Sequence, residues 1–363
     1  MPKIDINQIG LAFDMQGCPN RCRHCWLGPA NNYTLSEQDV RWGTSLFRDF
    51  IAREDTSINR LSVATSFREP DLRDDYRKLY DLEAELGDGI PDRYELLSIW
   101  RLARDDSYAR WAKSVGPDVC QISFFGLRVT NDWFHRRKGA FDDALIASER
   151  LLDAGMKPRW QIILTTKLLP ELNELLALID KLKLRERVRK LGDEFLLFIH
   201  LPGPDHEARK IEDLRPTIEQ LINLPEVILE STRKYFSREV LWQSEEALFS
   251  DIVNSEYLKT QSTLPEALWF FVQSNWDVFS NIGTLEDWWC LGNLKRDNVV
   301  TIINRFVNDG TLGLKYLVHE SPSELARQYG NPNGHKVYSS EEDLLSLYLG
   351  RHCEKKWNRR SIE

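Results

Sequence analysis

Three of the six cysteines, Cys18, Cys22 and Cys25, fall within eight residues, whereas Cys120, Cys290 and Cys353 lie far apart in the chain. A disulfide framework distributes paired thiols through a small domain, so this spacing points to a metal instead. Structural zinc closes four ligands around one ion, commonly as two separated pairs. His24 is the only local fourth candidate, and as the immediate neighbour of Cys25 it is poorly placed to turn onto the same ion. Zinc is therefore the weaker reading. A 4Fe-4S cubane held by three thiolates leaves one iron open to an exchangeable ligand, and an open coordination site is what chemistry at a metal requires.

The chain that must position these thiols has 363 residues, 42% of them hydrophobic and 29% charged, enough for a large core and inconsistent with general disorder. No run approaches the roughly 20 apolar residues that cross a bilayer, and the first eleven residues lack the pattern of a secretory signal. A soluble, cytoplasmic protein with no membrane partner is expected. Forty-eight Lys and Arg stand against 56 Asp and Glu, a net charge of -8 that disfavours nucleic acid as a partner. The basic run from Lys181 to Lys190 sits where cations complement a helix C-terminus, and Asp74, Asp75, Glu83 and Glu85 read as a solvated helix face.

Behind the cysteines, short β-rich runs alternate with amphipathic helices, the pattern of an α/β fold with a parallel sheet. Strands are expected at residues 9–15, 61–66, 94–100, 119–124, 159–166 and 194–200. The first helix is expected to open with a capping box at Thr34 and Glu37, and the helix ending at residue 154 is stopped by Gly155. In the fourth strand the alternation puts Gln121 and Ser123 on one face and Cys120, Ile122 and Phe124 on the other.

The run Cys18-Pro-Asn-Arg-Cys22-Arg-His-Cys25, in a loop after a first strand, resembles the CxxxCxxC signature of the radical S-adenosylmethionine (SAM) superfamily. The resemblance covers roughly residues 8–225 and implies a partial (βα)6 TIM-type barrel with a smaller α+β C-terminal domain. It also implies one 4Fe-4S cluster on Cys18, Cys22 and Cys25 whose open iron is chelated by SAM. Reductive cleavage of SAM then gives a 5'-deoxyadenosyl radical that abstracts hydrogen from a peptide or small biosynthetic metabolite, with a reductant such as flavodoxin or ferredoxin. The alternative is a non-catalytic zinc- or iron-sulfur-binding protein.

Barrel active sites gather at the C-terminal ends of the strands. There, Ser66-Phe67-Arg68-Glu69-Pro70 resembles the family's GGEP motif, with Glu69 and Pro70 matching and Phe67 and Arg68 replacing the glycines. The resemblance implies SAM contacts from Ser66 and Glu69, from His24 beside the adenine, and from Gln121 and Ser123 on the fourth strand. Gln161 and Thr165 share a face of the fifth strand, with Thr165 nearer the mouth and the better ligand candidate, and Pro202 and Gly203 form a turn that would wall the adenine pocket. No residue is assigned the chemistry on the substrate itself.

From residue 226 to 363 the alternation fades and aromatics concentrate. A hairpin is expected from residues 268–272 and 276–281, then Trp289-Cys290-Leu-Gly292-Asn293-Leu294 before a helix at 298–308. This resembles the SPASM or twitch extension of radical SAM enzymes, but only Cys290 and Cys353 remain there, too few for a further all-cysteine cluster. A lobe without auxiliary clusters is therefore expected, its aromatics packed as a small core, and its last helix is expected to start from a capping box at Ser339 and Glu342 and to end at Gly350.

Overall fold

The computed structural model describes residues 7–30, 34–53, 57–91, 93–254 and 267–360. Five of the six expected strands form, at β1 (Gln8–Phe13), β2 (Arg60–Ala64), β3 (Val119–Phe124), β4 (Lys157–Ile163) and β5 (Leu197–His200). Later come β6 (Gln243–Ser244), β7 (Ala267–Val272), β8 (Asp277–Ser280), β9 (Gly292–Asn293) and β10 (Val337–Tyr338). The fold is mixed α/β. Its parallel strands are divided between a three-stranded sheet, β3-β4-β5, and a five-stranded sheet ordered β2-β1-β7-β8-β9. Among the described residues no helix is long and apolar enough to cross a membrane.

The expected third strand is absent as a strand. Residues 94–98 touch β3 through one backbone bond, Gln121 N to Glu95 O at 2.7 Å, and Ser98 then caps a short helix, Ile99–Leu102. The reason lies on the edge of β2. Asp88 donates its backbone N–H to Leu61 O (2.8 Å) and accepts from Leu61 N on its carboxylate (2.7 Å), while Glu83 Oε1 accepts from Thr65 N at 2.7 Å. Backbone groups that a neighbouring strand would use are already satisfied, so the edge is closed to further pairing. Glu83 is thus no solvated helix acid: it is buried, bonded to Thr65 and ion-paired with Arg93 at 2.6 Å.

Region 226–363 shares a sheet with the first strand. β7 pairs in parallel with β1 over the register Gln8↔Ala267 to Phe13↔Val272, and the expected hairpin to β8 follows on its other side. One apolar core joins Leu11, Phe47 and Val63 to Phe270, Trp276, Trp288 and Trp289. A second core packs Ile122, Trp160 and Ile199 under the helices that cover the three-stranded sheet.

Two helix caps fall elsewhere than expected. The first helix, Glu37–Arg53, is capped by Ser36, whose hydroxyl accepts from Asp39 N at 3.2 Å while the Asp39 carboxylate accepts from Ser36 N at 2.8 Å. The last helix, Glu341–Arg360, is capped by Ser340 with Asp343 and runs straight through Gly350. That glycine serves close approach. A Cβ there would lie 2.4 Å from Arg209 Nη1, so the absent side chain admits the guanidinium.

Candidate functional site

The cysteine loop leaves β1 at its C-terminal end and is tied down on three sides. Asp14 Oδ1 accepts from Gly17 N at 3.0 Å, and Arg21 N and Arg23 N donate to the carbonyls of His135 and Phe134. Beneath it, Glu207 N donates to Cys25 O, and the His206 ring fits against Gly28, whose φ of +69° and missing Cβ both suit the contact. These bonds hold Cys18, Cys22 and Cys25 on one turn, all three as half-buried free thiols.

Without a metal, burial pushes the Cys18 thiol up to about 12, with the Glu69 charge adding to it. The Cys22 and Cys25 thiols are raised by burial too, and Cys22 feels both of the other sulfurs. Such thiols become thiolates when a cationic centre repays the desolvation, as metal binding does. Among the described residues no three His, Cys, Asp or Glu side chains are gathered around a single ion. The set fits a multi-iron cluster, which meets each cysteine at a different corner, better than it fits a closed zinc site.

Glu69 sits directly beside the loop. Cys18 Sγ donates toward its Oε2 at 3.8 Å and Ser98 Oγ donates to its Oε1 at 2.6 Å, while burial raises its carboxyl above the ordinary range. His24 packs on Phe125 with ring centroids 4.0 Å apart and lies 5.9 Å from the His135 ring. Burial, with His135 second, holds its imidazole neutral, and its Nδ1 is buried without a hydrogen-bond partner. Gln121 and Ser123 do share the inward face, where Gln161 gathers them: its Oε1 accepts from Ser123 Oγ at 2.7 Å and from Gln121 Nε2 at 3.1 Å. Ser66 is half-buried and lines a cavity between β2 and residues 87–96.

Thr165 and Pro202 are not presented as expected. Thr165 has no exposed surface and its hydroxyl accepts from Leu168 N at 3.3 Å, capping a turn, so it is no mouth residue. Pro202 is buried with its carbonyl held by Arg215 Nη2 at 2.6 Å, whereas Gly203 next to it borders open space.

The residue missed by motif comparison is Arg68, which stands at a glycine position of GGEP. Its side chain is 4% exposed. It donates through Nε to Asp14 Oδ2 at 2.7 Å and through Nη1 to the carbonyls of Leu27 and Gly28 at 2.8 and 2.6 Å. One guanidinium therefore clamps the end of β1 to the far end of the cysteine loop, and its charge draws down the thiols of Cys25 and Cys18. Its departure from the glycine of the motif is the only sequence signal for it.

Comparison with known proteins follows this geometry. No family model matches the chain. Its fold is similar to native anSMEcpe with bound AdoMet (TM-score 0.51, 16% identity, covering 98% of this chain and 97% of that one) and to native anSMEcpe with bound AdoMet and Kp18Cys peptide (TM-score 0.53, 13% identity, covering 97% and 99%). Among curated proteins it is 26% identical over 218 residues to Fe-coproporphyrin III synthase of Methanosarcina barkeri (strain Fusaro / DSM 804), a match over 60% of this chain. The chain spans about half (49%) of that relative's length. At these identities the solved structures show a shared fold.

Proposed function

We propose that this chain holds a 4Fe-4S cluster on Cys18, Cys22 and Cys25, cleaves SAM reductively, and uses the resulting 5'-deoxyadenosyl radical to take a hydrogen atom from its substrate. The carrying observation is the single turn of three free, half-buried thiols with Glu69 against the first of them. Bound there, the cluster would contribute an electron for the sulfonium of SAM. Everything else is done by side chains. Glu69, buried and aimed by Ser98, favours a cationic partner such as the SAM ammonium. His24, neutral and with Nδ1 unpartnered, offers a hydrogen bond to the nucleoside, and Ser66, Gln121, Ser123 and Gly203 border the space where the rest of SAM would lie. Arg68 holds the loop in shape without touching SAM.

Two substrate classes come with the relatives: a porphyrin, from the name of the curated relative, and a peptide, from the neighbour solved with one. A division into two domains, residues 1–225 and 226–363, and an external flavodoxin- or ferredoxin-like reductant belong to the same proposal. The test is anaerobic purification, reconstitution with iron and sulfide, and addition of SAM and dithionite. 5'-Deoxyadenosine is the expected product, lost in Cys22→Ala. A fully loaded cluster that yields none of it defeats the reading and favours a structural metal protein.

A further inference from the structure

The inner face of the five-stranded sheet is built of two registered rows. Ser62, Gly10 and Trp269 form one, and Ala64, Ala12 and Phe271 the other, each running from β2 across β1 to β7. Small residues on β1 and β2 make a floor, and the two aromatics of β7 stand over it. The indole lies so close that a Cβ on Gly10 would sit 2.2 Å from Trp269 Cδ2. Phe67 closes the wall with its ring 5.1 Å from that of Phe271. The result is a cavity of about 370 Å³, at the lower end of small-molecule sites, open where residues 87–96 leave the β2 edge. Its rim carries Ile90, Tyr94 and Leu96, 80%, 64% and 59% exposed.

Most of the charges at this cavity are held in ion pairs. Glu83 is paired with Arg93, Asp88 with Arg48, and Arg68 with Asp14. Arg60, at the start of β2, lines the same cavity; Asp88 feels its charge, but its guanidinium enters no side-chain hydrogen bond or ion pair among the described residues. It stands at the opposite end of β2 from Ser66, with roughly 13 Å of strand from Arg60 to Ala64 between them. An arginine at one end of an apolar, flat-floored slot matches a ligand with a planar body and a terminal carboxylate.

We infer that this cavity is the substrate site and that it takes a flat, apolar ring system bearing a carboxylate, with the carboxylate on Arg60 and the opposite end toward Ser66 and the cysteine loop. This rests on the proposed function for its chemistry but not for its test. The probe pair is 1-pyrenebutyrate and the uncharged 1-pyrenebutanol, titrated into the full reconstituted chain at 0.15 M salt on the order of physiological ionic strength, read by pyrene anisotropy and by energy transfer from tryptophan. The acid is expected to bind about tenfold more tightly than the alcohol. Arg60→Gln, an exposed substitution, should erase that preference and leave the alcohol unchanged. Ala64→Leu, which fills the floor, should weaken both probes about tenfold, with a thermal melt confirming that it folds.

Equal binding of acid and alcohol, or an acid preference that survives Arg60→Gln, overturns the inference, as does binding of neither probe by a folded protein. The two readings fail separately. Probe binding without 5'-deoxyadenosine removes the radical chemistry alone, and 5'-deoxyadenosine without probe binding removes this site alone.

Discussion

On the inner face of β3 and β4, Gln121, Ser123, Arg159 and Gln161 bond one another, and Arg159 also pairs with Glu95 at 2.5 Å while its Nε is left without a partner. The facing sheet differs at every level. β1, β2 and β7 offer small floors and aromatic walls around a cavity, with the exposed Arg60 at its end. In both, the strands concerned run parallel, so strand direction does not separate them. What separates them is whether inward side chains find partners inside the protein or leave room and charge for something else. A satisfied polar face is rigid and prepared to present fixed hydrogen-bond groups, whereas an incompletely filled apolar face gains from a guest.

The largest test of this contrast removes the clamp between the cavity side and the cysteine loop. Arg68→Ala leaves the Asp14 carboxylate, 2% exposed, without its counter-charge. Breaking a buried pair from one side costs about 3–5 kcal/mol, measured by urea denaturation. Arg68→Lys cannot reach Asp14, Leu27 and Gly28 at once and should recover only part of it. A loss under about 1 kcal/mol would show that the loop stands without the clamp.

Next in size, Gly10→Val puts a side chain where the Trp269 indole lies. Overpacking of this kind costs roughly 2–3 kcal/mol, and displacement of the indole should abolish 1-pyrenebutyrate binding in the same variant. If binding persists, the wall formed by β7 is not part of the site.

Much of this contrast was readable in advance, and its limits have physical causes. Five strands announce themselves by local composition, and the alternation in β3 correctly turns Gln121 and Ser123 inward. The cysteine spacing and Glu69 point to one corner, and the structure puts Glu69 there against Cys18. The failed third strand was hidden because what closes the β2 edge is the pair of acids Glu83 and Asp88, in and just past the preceding helix, where acids read as solvated. The pairing of β7 with β1 joins segments more than 250 residues apart, beyond any local signal. Arg68 was visible only as a departure from a motif, while the Asp14 partner that explains it gave no pattern of its own.

The polar half also holds a buried carboxyl that titrates. Asp205, in the loop after β5, has its carboxyl pushed up to about 6 by burial and by the neighbouring Glu286 charge, only partly offset by Arg209. A folded value above the unfolded one means that the protonated form favours folding. Its contribution is fully present below pH 4 or so, is lost as pH rises through about 6, and leaves a constant penalty above that. Asp205→Asn should therefore stabilise the protein at pH 7.5 by on the order of 2 kcal/mol and change little at pH 4. Equal effects at both pH values would mean that the carboxylate is solvated after all.

The smallest effect is the most informative about how the polar face works. Gln161→Leu removes the acceptor shared by Ser123 and Gln121, but both donors are half-buried and water can replace it. The stability cost should accordingly stay near 1 kcal/mol, the low end for a lost hydrogen bond. SAM binding, followed by equilibrium dialysis of the reconstituted protein, should fall further than stability does, because the two donors would no longer be held in one orientation. Equal and small losses in both would mark the network as packing alone, and the contrast with the cavity side would then rest on Arg60 and the aromatic wall.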